Sequence, residues 1–378
     1  MSRSIDALDF GRRLLSWFDE SARDLPWRRS KDPYAIWVSE IMLQQTRVAA
    51  VIEHYGRFMR RFPTLNELAT ASVEQVLAHW SGLGYYRRAR MLHKAAQFVA
   101  DQLGGKIPGT VAELRALPGI GEYTAAAIAS IGFGEFAASV DGNVERALCR
   151  LCGYTHDRST PSLVRSEASR LLSPERPGDF NQAMMELGAL LCLPRSPRCV
   201  ECPVRELCHT QGEHPVVERK KMLSRQLSYA CLLRTAKLGK ASTLAIQVLL
   251  EKRSEISSVM PGMWELPEIG TTQSPKAKKV LTLRHSITNT NYYVAIYEWA
   301  ASEHVLLPQR QNIRQWFSVD GLDTLPLTGL ARKTLRRLRH WPGYGASGPT
   351  ARLDELPADP ARLPRSDLKS AVGPEEGK

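Results

Sequence analysis

Between residues 5 and 210 apolar positions recur every three or four residues, in segments such as IDALDFGRRLLSWF, AIWVSEIMLQQTRVAAVIEHYGRFM, ARMLHKAAQFVADQL, YTAAAIASI, VERALCRL and FNQAMMELGALLC. That is the period of helices with a buried stripe. Gly and Pro punctuate between them, as in FPTL, GGKIPGT, LPGIG and LSPERPGD. The pattern predicts consecutive helices joined by short turns, an all-α domain over residues 1–210. Residues 211–226 (QGEHPVVERKKMLSRQ) are polar, follow neither period and are expected to form a linker. From residue 227 the pattern changes to short β-branched and aromatic runs, LSYACLLR, TLAIQVLLEKR, KKVLTLRH and NYYVAIYEWA, closed by the helical TGLARKTLRRLRHW. A second, α+β domain is predicted over residues 227–344. Residues 345–378 are rich in Pro, Ala and charge, lack aromatic side chains and are expected to be a disordered tail.

A chain of 378 residues with 43% hydrophobic positions is not disordered throughout, and has room for two or three domains with their own cores. No run approaches the roughly 20 apolar residues of a membrane span, and the N-terminal MSRSIDALDFGRRLLSWFDE lacks a signal-peptide core. The seven cysteines are odd in number and bunched in the middle, which fits a reducing compartment better than a disulfide scaffold. A soluble, cytoplasmic protein without a membrane partner is expected. The formal charge of +12 is uneven: residues 1–210 hold 26 basic and 23 acidic residues, residues 211–378 hold 25 and 16. An anionic partner such as nucleic acid fits that excess, but charge alone does not decide.

Three groups of residues bear chemistry. Cys192, Cys199, Cys202 and Cys208 are spaced C-x6-C-x2-C-x5-C, and Pro194, Pro197 and Pro203 supply tight turns between them. Four thiolates so placed can wrap one metal centre; the single C-x2-C favours a four-iron four-sulfur cluster over zinc. Leu117-Pro118-Gly119-Ile120-Gly121 lies between two helical segments, where its backbone amides could approach a phosphate. By itself it is equally an ordinary interhelical turn. Glu40 falls three and four residues after Trp37 and Ile36, on the interior stripe of its helix. Burial would keep that carboxyl protonated and able to act as a general acid, whereas Asp141, at a helix start, would stay ionised. Two carboxyls in unlike environments suit cleavage of a glycosidic bond. A core salt bridge for Glu40 and a plain N-cap role for Asp141 or Asn143 remain the alternatives.

Taken together, LPWR (25–28), VSEIMLQQT (38–46), GLGYYRRAR (82–90), LPGIGEYTA (117–125), VDGNVER (140–146), NQAMMELGA (181–189) and the cysteine spacing resemble the MutY-type adenine DNA glycosylases. These belong to the helix-hairpin-helix DNA glycosylases that carry an iron-sulfur cluster. The resemblance implies removal of adenine mispaired with 8-oxoguanine or guanine from duplex DNA by a monomer with one 4Fe-4S cluster. It implies that Glu40 protonates the flipped adenine and that Asp141 stabilises the oxocarbenium ion, with Asn143 and Tyr123 in support. Gln45 and Tyr85 match residues that enter the duplex, Arg28 and Leu43 match the adenine pocket, and Gly119 and Gly121 match the phosphate-holding hairpin. Endonuclease III-type lyases have a lysine where this chain has Tyr123, so a monofunctional enzyme without a Schiff base is implied.

The second domain resembles the family's Nudix-like C-terminal domain. PGMWELPEI looks like its glycine-tryptophan segment and LRHSITNTNYY like the strand and loop that read 8-oxoguanine. Many members carry Phe-Ser-His where this chain has Ile287-Thr288-Asn289. Thr288 keeps a hydroxyl at the serine position, and its changed neighbours leave the strength of 8-oxoguanine discrimination open. GTTQSPKAKKV supplies no Glu-rich metal-binding box, so this domain is expected to bind and not to hydrolyse.

Overall fold

The computed structural model describes residues 5–154, 160–213, 222–238, 243–257, 259–270, 277–287, 289–308 and 312–340. Thr288, the expected tail and half of the expected linker lie outside them. The N-terminal part is helical, as its apolar period predicts: α1 (Ala7–Ser21), α2 (Pro33–Leu43), α3 (Val48–Arg61), α4 (Leu65–Thr70), α5 (Val73–Trp80), α6 (Arg87–Gln102), α7 (Val111–Arg115), α8 (Glu122–Phe133), α9 (Gly142–Cys152), α10 (Thr160–Leu171) and α11 (Pro177–Leu190). Helix starts follow local chemistry. Asp6 accepts from the Leu8 and Asp9 amides at 2.8 and 3.0 Å, Pro33 follows the N-cap Asp32, and α4 and α5 open with capping boxes, Thr64 with Glu67 and Ser72 with Gln75.

The helices form two apolar cores. One gathers Trp37, Met42, Phe58, Phe62, Trp80 and Leu92. The other joins Phe10 and Leu14 of α1 to Leu148 of α9 and Phe180, Met184 and Leu187 of α11. Helix α8 packs against both α2 and α11 and so spans the two cores. Between α7 and α8 the predicted hairpin forms. Gly119 has φ +78°, and a Cβ there would stand 2.4 Å from the Cβ of Met91. Gly121 differs: it is the N-cap of α8 at φ −91°, with open space where a Cβ would go. Only the first glycine of the pair is demanded by backbone geometry.

The second domain is built on a six-stranded mixed sheet, β1 (Leu223–Leu238), β2 (Thr243–Lys252), β3 (Trp264–Glu265), β4 (Lys278–Ile287), β5 (Thr290–Trp299) and β6 (Arg314–Ser318), with α12 (Gly329–Arg337) beside it. The strand order is β3-β2-β1-β5-β4, and β6 also pairs with β2. The long β1 serves two partners: residues 223–232 run parallel to β5 and residues 233–238 antiparallel to β2. Its start corrects the expected linker boundary of 211–226. Leu223 to Gln226 are exposed yet pair with Thr290 to Tyr293, held by a backbone ladder that side-chain polarity does not announce.

The two domains meet along the PGMWE segment. Met263 is fully buried within the first helical core. The Leu327 carbonyl accepts from Ser81 Oγ at 2.8 Å and Tyr86 Oη at 3.1 Å, and Arg90 Nη2 donates to the Pro261 carbonyl at 2.8 Å. No helix of the described residues is long and apolar enough to cross a membrane.

The hairpin geometry separates its two glycines energetically. Gly119→Ala, which meets both a left-handed backbone and a clash with α6, is expected to cost about 1–3 kcal/mol and lower the thermal midpoint by several degrees. Gly121→Ala is expected to stay within about 1 kcal/mol, and parallel thermal melts of the two variants check the difference.

Candidate active site

Between the two helical cores lies a cavity of about 480 Å³, lined among others by Glu40, Asp141, Tyr123, Arg28 and Glu186. Glu40 enters it from α2. The expectation of one interior stripe understates that helix, because residues 34–42 are all buried. Glu40 itself is 5% exposed. Burial pushes its carboxyl up to about 7; the hydrogen bond from Tyr123 Oη to Oε2, 2.7 Å, restrains the rise, the charge of Asp141 adds to it, and that of Arg28 opposes it. Near neutral pH a large share of Glu40 therefore holds a proton. Burial and the adjacent carboxyls drive the Tyr123 hydroxyl well above its ordinary range, so it remains a donor.

Asp141 reaches the same cavity from the start of α9. Its Oδ1 accepts from the amides of Asn143 at 2.9 Å and Val144 at 2.8 Å, and its Oδ2 from Asn143 Nδ2 at 2.9 Å. The N-cap alternative thus describes its anchoring, and the side chain still faces the cavity. Gly188 makes this approach of α9 to α11 possible: a Cβ there would lie 2.6 Å from the Cβ of Asn143.

Opposite these groups stands an ion cluster that sequence reasoning missed in part. Glu186, 1% exposed on α11, accepts from Arg23 Nε and Nη2, both at 2.7 Å, and from Arg28 Nη2 at 2.9 Å. Burial alone would raise its carboxyl, but the hydrogen bonds from Arg23 and Arg28 outweigh that and hold it near 2. The available signal was the one used for Glu40, a carboxylate on the apolar side of a helix, three residues after Ala183 and one before Leu187. Arg23 carried none, because a single Arg in a polar turn reads as surface.

Glu40, Asp141, Asn143, Tyr123, Arg28, Leu43 and Gln45 all border the one cavity. Tyr85, Gly119 and Gly121 do not line it, and Thr288 is outside the described residues. Gln45 and Tyr85 are exposed, each on a left-handed backbone, φ 55° and 48°. The four predicted ligand cysteines gather elsewhere, around a hollow of about 30 Å³ backed by Leu191, Pro197 and Arg150. Arg150 Nη1 lies 3.4 Å from the Cys192 sulfur. All four cysteines line that one hollow, and a set of four soft thiolates fits an iron-sulfur centre. Arg146 links this loop to the cavity, donating from Nε to the Cys192 carbonyl at 2.9 Å and from Nη2 to Asn143 Oδ1 at 3.0 Å.

Comparison with known proteins places these features in a family. Residues 38–174 match the HhH-GPD superfamily of base excision DNA repair proteins, and residues 192–208 match the iron-sulfur binding domain of endonuclease III. The chain is 51% identical over 216 residues to the adenine DNA glycosylase of Rattus norvegicus, 54% of this chain and 42% of that protein. It is 35% identical over 234 residues to the adenine DNA glycosylase of Buchnera aphidicola subsp. Acyrthosiphon pisum (strain APS), 60% of this chain and 67% of that protein. Matches to the mammalian relatives thus span about two-fifths of those proteins' length. Among solved structures, a thermostable thymine-DNA glycosylase superposes with a TM-score of 0.51 at 29% identity, over 54% of this chain and 96% of that one. With a helix-hairpin-helix module, an iron-sulfur loop and this degree of identity to relatives, the chain belongs to the adenine DNA glycosylase family.

Proposed function

We propose that the protein is a monofunctional DNA glycosylase that releases adenine mispaired with 8-oxoguanine, or with guanine, from duplex DNA. The observation that carries this reading is the pair of carboxyls, Glu40 protonated by burial and Asp141 fixed at a helix start, bordering one cavity roomy enough for an extruded base. Glu40 gives its proton to adenine as the bond from the sugar carbon breaks and the electron pair leaves with the base. Asp141 faces the positive charge that develops on the sugar, and water then adds to that carbon while the resulting Glu40 carboxylate accepts its proton. Arg28, held by Glu186, and Leu43 border the base. Tyr123 occupies the position of the lysine in the lyases and has no amine with which to attack the sugar. Backbone amides around Gly119 and Gly121 hold a phosphate without reading sequence.

The ring of Cys192, Cys199, Cys202 and Cys208 would hold one 4Fe-4S cluster, which when bound cross-links the loop through four thiolate bonds. The sheet domain takes the role of a Nudix-like lesion reader. Its β4–β5 hairpin supports this: the Asn291 side-chain oxygen accepts from Ser286 Oγ at 2.7 Å and Arg284 Nη2 at 2.9 Å, bracing the tip where Ile287 pairs with Thr290.

Single-turnover release of adenine from duplexes with adenine opposite 8-oxoguanine, guanine, cytosine and thymine tests the reading. Fast release opposite 8-oxoguanine and slower release opposite guanine are expected; no release from any duplex would overturn it. Because the active form of Glu40 is the protonated one, the release rate is expected to fall as pH rises through about 7. Glu40→Gln should lower that rate roughly 10²–10⁴-fold while mismatch binding persists. Tyr123→Phe removes a bond that favours the carboxylate, so its falling limb should move to higher pH. For the cluster, iron and acid-labile sulfide in equal amounts with broad visible absorption are expected, and their loss in Cys199→Ala; a colourless zinc-loaded protein would refute that assignment.

A further inference from the structure

Gln45 and Tyr85 lie on separate turns, after α2 and before α6, and each holds a left-handed backbone that an L-residue rarely adopts. Such geometry persists where its surroundings over-determine it. One side chain reaches both turns. Arg88, in the first turn of α6, donates from Nη1 to the carbonyls of Ile41 at 2.7 Å, Met42 at 2.9 Å and Gln44 at 2.5 Å. Its Nη2 donates to Thr46 Oγ1 at 3.0 Å and to the carbonyls of Leu83 and Gly84, each at 3.3 Å. Two of these acceptors, on Gln44 and Thr46, flank Gln45 directly, and two, on Leu83 and Gly84, immediately precede Tyr85. The Ile41 and Met42 carbonyls belong to the last turn of α2, where carbonyls have no partner within the helix and the dipole favours a cation.

The guanidinium also lies against two aromatic rings. It lies 5.3 Å from the Trp80 ring centre and 5.5 Å from that of Tyr85. Burial lowers its affinity for a proton, to about 10, which leaves it charged at neutral pH. On the far side, Ser81 and Tyr86 bracket the Tyr85 turn and bond the Leu327 carbonyl, so the same turn is tied to the second domain.

We propose that Arg88 is a positioning residue for base extrusion: it holds the Gln45 and Tyr85 turns as one unit, so that both side chains enter the duplex together. This rests on the reading of those two residues as groups that enter the duplex. Arg88 touches neither the base nor the sugar; it acts through the turns. A lysine would place one ammonium where a planar fork spans six acceptors, so even Arg88→Lys should separate the turns.

The test compares two substrates in the full-length protein. One carries adenine paired opposite 8-oxoguanine; the other carries adenine as a one-nucleotide bulge, which needs less unpairing. A 2-aminopurine beside the adenine reports extrusion by its fluorescence. Arg88→Lys is expected to slow single-turnover release at least tenfold from the paired substrate and less than threefold from the bulge, and to suppress the fluorescence rise. Thr46→Val, which removes one acceptor and leaves Arg88 in place, should give a milder form of the same pattern. In combination with Gln45→Ala, Arg88→Lys should add little to the slower single variant. Equal slowing on both substrates together with a lowered thermal midpoint, or an unchanged fluorescence rise, would overturn the proposal by reducing Arg88 to a structural residue. Absence of release by the unmodified protein from either substrate is a separate result, which would overturn the functional reading and this proposal with it.

Discussion

Holding Glu40 where 5% of the residue meets solvent raises the affinity of its carboxyl for a proton, and much of the helical module is arranged so that this burial is possible. Helix α2 is enclosed over residues 34–42, packed against α3, α6 and α8 within the first core. The carboxyl cannot be left without a partner at that depth, and Tyr123 from α8 supplies a donor. The second core then brings Asp141 to the opposite wall, tethered by the two amides at the head of α9 and let in close by Gly188. Each neighbour answers a constraint set by that one buried group.

Glu186 shows that depth alone does not decide protonation. Like Glu40 it is closed to solvent, at 1% exposure, and faces the same cavity, yet its carboxyl is held down near 2. The difference lies in the company: Arg23 and Arg28 bond directly to Glu186, while Glu40 is bonded by a neutral hydroxyl, with the charge of Asp141 raising its affinity for a proton and that of Arg28 opposing the rise. One cavity therefore holds a fixed ion cluster beside a group that still exchanges its proton. Removing both guanidiniums from Glu186 would leave a buried charge uncompensated, the costly half of a broken ion pair.

Much of this was legible in the chain. The 3.6-residue apolar period gave the helices, the cysteine spacing gave the ring around the hollow, and a glutamate on an apolar helix side marked Glu40. What escaped had a physical reason. Arg23 reads as a lone arginine in a polar turn, Arg88 sits among other basic residues, and nothing in GYYRRAR tells which arginine turns inward to carbonyls more than forty residues away. The beginning of β1 was hidden because an edge-to-edge ladder is made by backbone groups, whatever side chains they bear. Glu186 is legible by the rule applied to Glu40, as a carboxylate on the apolar side of its helix.

Met263 has a further consequence. It belongs to the second domain by sequence but is counted, fully buried, in the first helical core beside residues of α5 and α6. A side chain of that size contributes roughly 1.5–3 kcal/mol when wholly removed from water, and here the gain is shared across a covalent boundary. The two domains are therefore coupled in their folding free energy: opening of the sheet domain withdraws a plug from the helical one and takes the Leu327 carbonyl from Ser81 and Tyr86. A protein divided at its linker would leave an apolar socket on one fragment and a bare methionine on the other, so the boundary drawn by sequence is not a boundary of cooperativity.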